Sequence, residues 1–343
     1  MRVWLETMWY AARRPPWPLR ALSRLYGALV RRRRRQSRRA AAVGRPVAVV
    51  GNITVGGTGK TPLTLWLAGA LRAQGVRVGV ILRGYGAAAP GRGVTRVEPD
   101  SDPRVVGDEA LLIRRRGGGP VAVARERAAA ARALAHEVDL ILADDGLQHL
   151  RLAREFEIAV VDGARGCGNG WLLPAGPLRE PMQRLAEVDA IVINGAADAP
   201  TRALLAAGTG AAGRAPPPLL HMAVQAQRAL ALDAGLGAAG LPLGRFAGQR
   251  VHAVAGLGNP RRFFDLLRAF GLEVQEHAFA DHHRFRASDL EFADGLPVLM
   301  TEKDAVKCER FASENFWVLR VDAEVEPGLS ELVLSKLKNF PTR

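Results

Sequence analysis

The 343-residue chain is 48% hydrophobic and 24% charged, which excludes a disordered chain and leaves room for more than one core. Its net charge of +14 is concentrated at one end: residues 1–45 hold thirteen arginines against one glutamate, so the rest is close to neutral and does not read as a nucleic-acid-binding body. Cys167 and Cys308 match neither a disulfide framework nor a metal-thiolate cluster and fit a reducing compartment, and no run of 18 apolar residues marks a transmembrane helix.

The N-terminus does not read as a signal peptide, because Arg13, Arg14 and the prolines at 15, 16 and 18 interrupt any apolar core. Residues 1–30 carry Trp4, Trp9, Tyr10, Trp17 and Tyr26, five of the nine Trp and Tyr residues in the chain. Leu19, Leu22, Leu25, Tyr26, Leu29 and Val30 then recur at helical spacing, and Arg31–Arg35, Arg38 and Arg39 follow. Aromatics at headgroup depth, an apolar stripe and a basic run predict an amphipathic helix resting on an anionic membrane surface. A solvated arm and an RNA-binding arm are the competing readings.

An apolar run at 46–52 leads into Thr54-Val55-Gly56-Gly57-Thr58-Gly59-Lys60-Thr61, after which helical periodicity runs on through Trp66, Leu67 and Leu71. Strand, glycine-rich loop and helix in that order predict a phosphate cradle. The loop amides and the helix N-terminus attract phosphate oxygens, Lys60 reaches the β- and γ-phosphates, and Thr61 holds Mg²⁺. Thr54 stands where the usual pattern has glycine. The chain is therefore read as a nucleoside-triphosphate-using enzyme.

Strand-like runs at 47–50, 76–82, 121–124, 140–143, 158–161 and 190–193 alternate with helical stretches at 60–74, 108–116, 125–136 and 201–207. Such alternation predicts an α/β fold, a P-loop NTPase-type parallel sheet covered on both faces. By composition 208–218 is a linker. A smaller α/β domain follows, with strands near 251–255, 272–279, 298–300 and 316–321 and helices near 261–270 and 329–337. The predicted organisation is a membrane-associating segment at 1–45, a P-loop domain at 46–207, the linker, and a second domain at 219–343.

Asp144 and Asp145 end the run Leu140-Ile141-Leu142-Ala143, where an acid beside a P-loop strand can ligate Mg²⁺, although helix capping is a second reading. Asp108-Glu109 open a helix, where capping and a functional role have equal claim. Asp281-His282-His283 sit in the second domain, and a His pair is more often structural than catalytic.

Taken together these segments resemble the tetraacyldisaccharide 4′-kinase family of lipid A biosynthesis. The resemblance spans nearly the whole chain and is carried by Val50-Gly51-Asn52 with the P-loop and Pro62, Leu82-Arg83-Gly84-Tyr85-Gly86, Val106-Gly107-Asp108-Glu109 and Asp144-Asp145-Gly146-Leu147-Gln148-His149. It continues through 169–180 (beginning Asn169-Gly170-Trp171 and ending Arg179-Glu180), Gly256-Leu257-Gly258-Asn259-Pro260, Phe279-Ala280-Asp281-His282 and 301–307. The family's own loop begins with a small residue other than glycine, as Thr54 does here.

That resemblance implies ATP and Mg²⁺ as cosubstrates and a tetraacylated disaccharide 1-phosphate as the lipid acceptor. It also implies a place on the cytoplasmic face of the inner membrane, with no nucleic-acid partner and no obligate protein partner. It implies Asp108 as the base toward the sugar 4′-hydroxyl, with His282 tuning it and His283 the less favoured match. Arg179 and Glu180 are candidates for phosphate or metal contact, an exposed ion pair being the alternative. The 301–307 element has no role legible in the sequence. If Asp108 and His282 met only on domain closure, the 208–218 linker would be mechanistic. The rival reading is a P-loop GTPase or ATPase acting through protein partners.

Overall fold

A computed structural model of the chain describes residues 2–11, 14–36, 40–84, 93–197, 199, 201–203, 205, 215–233, 240–258 and 260–337. Arg38, Arg39, Tyr85, Gly86, Asn259, positions 208–214 of the expected linker and parts of the expected helix at 201–207 lie outside the described residues.

The described strands are, in chain order, β1 (Val47–Gly51), β2 (Val78–Leu82), β3 (Thr95–Val97), β4 (Val121–Val123), β5 (Leu140–Asp144), β6 (Phe156–Asp162), β7 (Ala190–Asn194), β8 (Leu219–Ala231), β9 (Leu241–Pro242), β10 (Arg250–Ala255), β11 (Glu273–Ala278), β12 (Val298–Thr301) and β13 (Phe316–Val325). They belong to two compact units. The first is Met1–Leu82, Glu126–Val224 and Glu324–Arg343; the second is Arg83–Arg125 and Gln225–Ala323.

This partition differs from the expected boundaries at 207 and 219. Residues 83–125 join the second unit because their charged side chains are satisfied there. Arg116 Nη1 donates to Glu302 (3.0 Å) and to the Val321 carbonyl (2.7 Å), Lys303 pairs with Glu109 (2.8 Å), and Arg115 pairs with Glu309. The final helix, Leu329–Leu337, belongs to the first unit, where Gln74 donates to Ser330 (3.1 Å) and Lys336 pairs with Asp189. The expected linker also falls within the first unit.

In the first unit the strand order is β8-β7-β6-β1-β5-β2, with every pairing parallel. The runs Val-Ala-Val-Val-Gly of β1 and Leu-Ile-Leu-Ala-Asp of β5 are buried throughout, as strands covered on both faces must be. Helix Lys60–Ala73 lays Leu63, Leu67 and Leu71 on the core, each fully buried. At about 1.5–3 kcal/mol for each such side chain, this face fixes the direction in which the P-loop leaves β1. Register sets Val50 of β1 opposite Asp144 of β5, and Gly51 opposite Ala159 of β6. The loop after β1 and the acids ending β5 thus share the carboxyl edge of the sheet, where open α/β folds bind ligands.

The N-terminal segment forms helices Arg2–Trp9 and Trp17–Gln36. The longer one divides its expected apolar stripe. Ser23 and Gly27 are buried, Leu19, Tyr26 and Val30 are half-buried, and Leu22, Leu25 and Leu29 are 51%, 60% and 49% exposed. The small residues allow close approach, since a Cβ on Gly27 would lie 2.8 Å from Leu172 Cδ1. Ser23 Oγ donates to the Leu172 carbonyl (2.8 Å), the Tyr26 hydroxyl to the Arg179 carbonyl (3.2 Å), and Arg34 pairs with Glu187. Among the described residues no helix is long and apolar enough to cross a membrane.

In the second unit β11-β10-β12-β13 run parallel, β8 lies beside β13, and β9 and β8 pair antiparallel, as do β3 and β4. Helix Arg261–Ala269 packs Phe263, Phe264 and Leu267 onto this sheet with Phe246, Leu299 and Leu319. Cys167 and Cys308 are both free and buried, and burial pushes their thiols up to about 11 and about 12.

Candidate active site

The expected site residues gather in two side-chain clusters, one in each unit. In the first unit the P-loop is tied down from three sides. Val55 N donates to the Pro177 carbonyl (2.8 Å), Asn194 Nδ2 donates to the Thr58 carbonyl (3.1 Å), and Arg179 N donates to the Ile53 carbonyl (2.7 Å). Gly59 precedes helix Lys60–Ala73 at φ +94°, and a Cβ there would lie 2.6 Å from both Asn194 Nδ2 and Met222 Cε. Both the backbone angle and the space require glycine at this position.

Behind the loop, Asp144 Oδ2 accepts from the Thr61 hydroxyl and Oδ1 from Thr64, each at 3.2 Å, while Arg127 donates to the Asp144 carbonyl (2.9 Å). Asp145 faces Lys60 Nζ (3.5 Å) and Arg179 Nη1 (3.4 Å). Burial pushes the Asp145 carboxyl up, but Lys60, Arg179 and Arg127 outweigh burial and hold it below its ordinary range. Arg179 also donates to Gln148 Oε1 (3.4 Å), and Gln148 Nε2 donates to the Asn52 carbonyl (2.9 Å) and to Glu180 Oε1 (2.7 Å). Glu180 is buried, with Oε2 3.5 Å from Arg184 and 3.8 Å from Arg34. Thr58 Oγ1 and Asn52 Oδ1 are buried and accept no hydrogen bond among the described residues.

The second cluster centres on Asp108, the first residue of helix Asp108–Gly117. Its Oδ1 accepts from Glu109 N (2.9 Å), and its Oδ2 lies 3.1 Å from His282 Nδ1 and 3.9 Å from Lys307 Nζ. Burial pushes Asp108 up, yet the His282 hydrogen bond with Lys303 and Lys307 brings it below the ordinary carboxylate range. His282 is shifted up, mainly by that hydrogen bond, against the opposing pull of burial and of Lys303. The opposite shifts favour the charged form of both partners, an ion pair of carboxylate and imidazolium. An open cavity of about 260 Å³ lies beside them, lined also by Arg104, Arg284, Lys307 and Arg310.

The two residues lie in one unit and are already in hydrogen-bond contact, so the expectation that they meet only on domain closure is corrected. The geometry also separates the two histidines. His283 Nε2 bonds Asp289 (3.0 Å) and its ring stacks on Phe279, a structural engagement. Among the described non-glycine residues only Asp145 (φ +49°) and His282 (φ +59°) have positive φ, one in each cluster. Such backbone costs on the order of 1 kcal/mol or more and gathers where a side chain must be aimed.

Sequence reasoning found no use for 301–307, and the structure supplies one. Thr301 caps helix Glu302–Cys308, with Asp304 N donating to Thr301 Oγ1 (3.3 Å) and Thr301 Oγ1 donating to Asp304 Oδ2 (2.8 Å). The fully buried Asp304 also accepts from Gly256 N (2.9 Å) and from Lys307 Nζ (2.7 Å), which aims Lys307 at Asp108. The signal was present as a Thr-x-x-Asp cap ahead of an apolar pair. Nothing in linear order, however, placed Lys303 and Lys307 beside Asp108.

A family model described as Tetraacyldisaccharide-1-P 4'-kinase matches residues 15–338. The chain belongs to the tetraacyldisaccharide 4′-kinase family. The tetraacyldisaccharide 4′-kinase of Azotobacter vinelandii is 48% identical over 332 residues, covering 94% of this chain and 93% of the relative. That of Azoarcus sp. is 49% identical over 330 residues, covering 93% and 91%. A crystal structure of LpxK from Aquifex aeolicus in complex with ATP matches with a TM-score of 0.75 at 25% identity, covering 92% of this chain and 98% of that one. The tetraacyldisaccharide 4′-kinases are phosphotransferases, and this member is a kinase with ATP as its phosphoryl donor.

Proposed function

We propose that the chain transfers the terminal phosphoryl group of ATP to the 4′-hydroxyl of a tetraacylated glucosamine disaccharide 1-phosphate, yielding lipid IVA and ADP. One observation carries this reading over a GTPase or ATPase acting through partners: the ionised, buried Asp108 bonded to His282. A switch hydrolase has no need to deprotonate an alcohol, whereas an alcohol kinase does.

The first cluster has donors suited to a magnesium nucleotide. Thr61 and Asp144 present hard oxygens 3.2 Å apart, and Thr58 Oγ1 is left as an unused polar atom in the loop. Bound Mg²⁺ would neutralise phosphate charge, held by Thr61 and Asp144 with Asp145 beside them. Lys60, the amides of Val55–Thr61 and Arg179 hold the phosphates. Glu180 acts through Gln148, fixing the face that Gln148 offers to Arg179.

In the second cluster Asp108 takes the proton of the acceptor hydroxyl. Protonated His282 donates from Nδ1 to Oδ2, keeping the carboxylate charged and turned toward the cavity, while Lys303 and Lys307 hold its charge in place. Arg284 and Arg310 of the cavity lining offer donors to a phosphate-bearing sugar, while Asp102 and Glu309 pair with Arg104 and Arg115. Incubating folded, ATP-binding protein with ATP, Mg²⁺ and the disaccharide 1-phosphate in detergent should yield a 4′-phosphorylated lipid on thin-layer chromatography. ATP consumption without that product would leave the partner-driven hydrolase in its place.

Helix Trp17–Gln36 rests on the cytoplasmic leaflet of the inner membrane, with Trp17, Leu22, Leu25 and Leu29 toward the acyl region. Each of the exposed Arg31, Arg32, Arg33 and Arg35 contributes about 1 kcal/mol against anionic lipid. Its polar and small face packs inward, which explains why the leucines stay exposed. Replacing Leu22, Leu25 and Leu29 together by Glu should reduce flotation with anionic liposomes at least about tenfold while ATP affinity is kept. Unchanged flotation would show that the helix is not the membrane contact.

A further inference from the structure

Arg165 lies outside the two clusters, yet it stands at the phosphate loop. It follows β6, the neighbour of β1, so it leaves the same carboxyl edge of the sheet. Asp162 Oδ1 accepts from Ala164 N (3.1 Å) and Arg165 N (3.2 Å), and Gly166 N donates to the Asp162 carbonyl (2.7 Å), which fixes the turn that launches the side chain. Arg165 Nη1 is 3.9 Å from the point a Cβ would occupy on Gly56, a loop glycine at φ +109°. Its guanidinium carbon sits 5.2 Å from the centre of the Tyr10 ring, and among the described residues it makes no ion pair with a carboxylate. Burial, joined by the nearby carboxylates of Asp162 and Glu6, raises the Tyr10 phenol above its ordinary value against the charge and hydrogen bond of Arg165, so the ring stays neutral beside the cation.

Between these groups is a cavity of about 260 Å³, walled by Val55, Gly56 and Arg165 on one side and by Leu5, Glu6, Trp9 and Tyr10 on the other. Its helical wall is stitched to the same loops: Trp9 Nε1 donates to the Pro174 carbonyl (2.9 Å), and Asn169 N donates to the Trp9 carbonyl (2.8 Å). A guanidinium braced by an aromatic residue, with no carboxylate in ion-pair contact and beside a glycine of a phosphate loop, keeps donors beyond its Tyr10 contact for an anion.

We infer that Arg165 is a further phosphate-binding cation of the nucleotide site, contacting the terminal phosphate of the triphosphate, and that Tyr10 is the residue that positions it. The N-terminal helix is thereby part of the nucleotide site as well as a surface element. This rests on the nucleotide reading of the loop.

The test is a titration of Arg165→Ala, Arg165→Lys and Tyr10→Leu proteins with Mg²⁺ and either a non-hydrolysable ATP analogue or ADP, in detergent without lipid. Thermal unfolding of each variant serves as the control for folding. Arg165→Ala should weaken the triphosphate analogue about tenfold and ADP less than twofold, with Arg165→Lys intermediate. Tyr10→Leu should weaken the analogue about threefold with the same selectivity, as a loss of positioning would. Equal loss for both nucleotides, or none, overturns the assignment. So does unchanged nucleotide binding joined, in a separate steady-state assay with the lipid, by a raised KM for that lipid, which would give the cation to the acceptor's phosphate. Lys60→Ala separates the two layers: it should weaken both nucleotides, and its failure to do so would remove the nucleotide reading itself.

Discussion

Asp108→Asn should lower kcat about 10³-fold while leaving ATP affinity within about twofold, because the change removes a proton acceptor and little volume. The group is buried and accepts from Glu109 N, so the amide can take the same place, but it holds no charge for His282 or Lys307. Single-turnover phosphorylation of the lipid together with nucleotide titration checks both halves. A kcat within tenfold of wild type would show that another group takes the proton.

The same substitution has a pH signature in stability. Asp108 is depressed, so its contribution is present above its ordinary value of about 4 and is lost as pH falls through the lower native value. His282 is raised, so its contribution is present below its ordinary value of about 6.5 and is lost as pH rises through the higher native value. The pair is at full strength between these limits. The stability gap between wild type and Asp108→Asn should therefore be wider at pH 5.5 than at pH 9 in urea unfolding. Lys303 and Lys307 keep it from closing at pH 9. Equal gaps at the two pH values would mean that the ion pair is not what holds His282.

Lys60→Ala should raise the Kd for ATP at least about tenfold and lower kcat about 10²- to 10³-fold. Nothing else in the loop carries its charge, and Asp145 would be left with Arg179 and Arg127 alone to hold its carboxyl down. Lys60→Arg should recover little, since a planar guanidinium does not reproduce the compact point charge of the ammonium between the phosphates and Asp145. Nucleotide titration and steady-state rates decide this. ATP affinity within twofold of wild type would remove the loop from the phosphate site.

Much of the first cluster was legible in linear order. The P-loop declares itself because strand, glycines, lysine, threonine and helix are contiguous, and Asp144 and Asp145 because a buried apolar run ends on them. Thr64, Arg127 and Arg165 carry no comparable mark. Each comes to the site through the fold, Thr64 from one helical turn beyond Thr61, Arg127 from the chain before β5, and Arg165 from the turn after β6. The N-terminal helix was readable as amphipathic, but which leucines stay exposed depends on Ser23 and Gly27 meeting Leu172, a contact across some 145 residues.

The sequence by itself determined the α/β class, the nucleotide loop, its acidic companions and the basic, aromatic N-terminal segment, because each is written in short-range periodicity and in spacing set by backbone geometry. Tertiary structure alone decided that 83–125 joins 225–323, that Asp108 touches His282 and not His283, and that Asp304 and Lys307 brace the pair. Those outcomes depend on which buried charges can find partners. Burying an unpaired charge costs several kcal/mol, far more than any local preference, so the chain folds to the arrangement that pairs them.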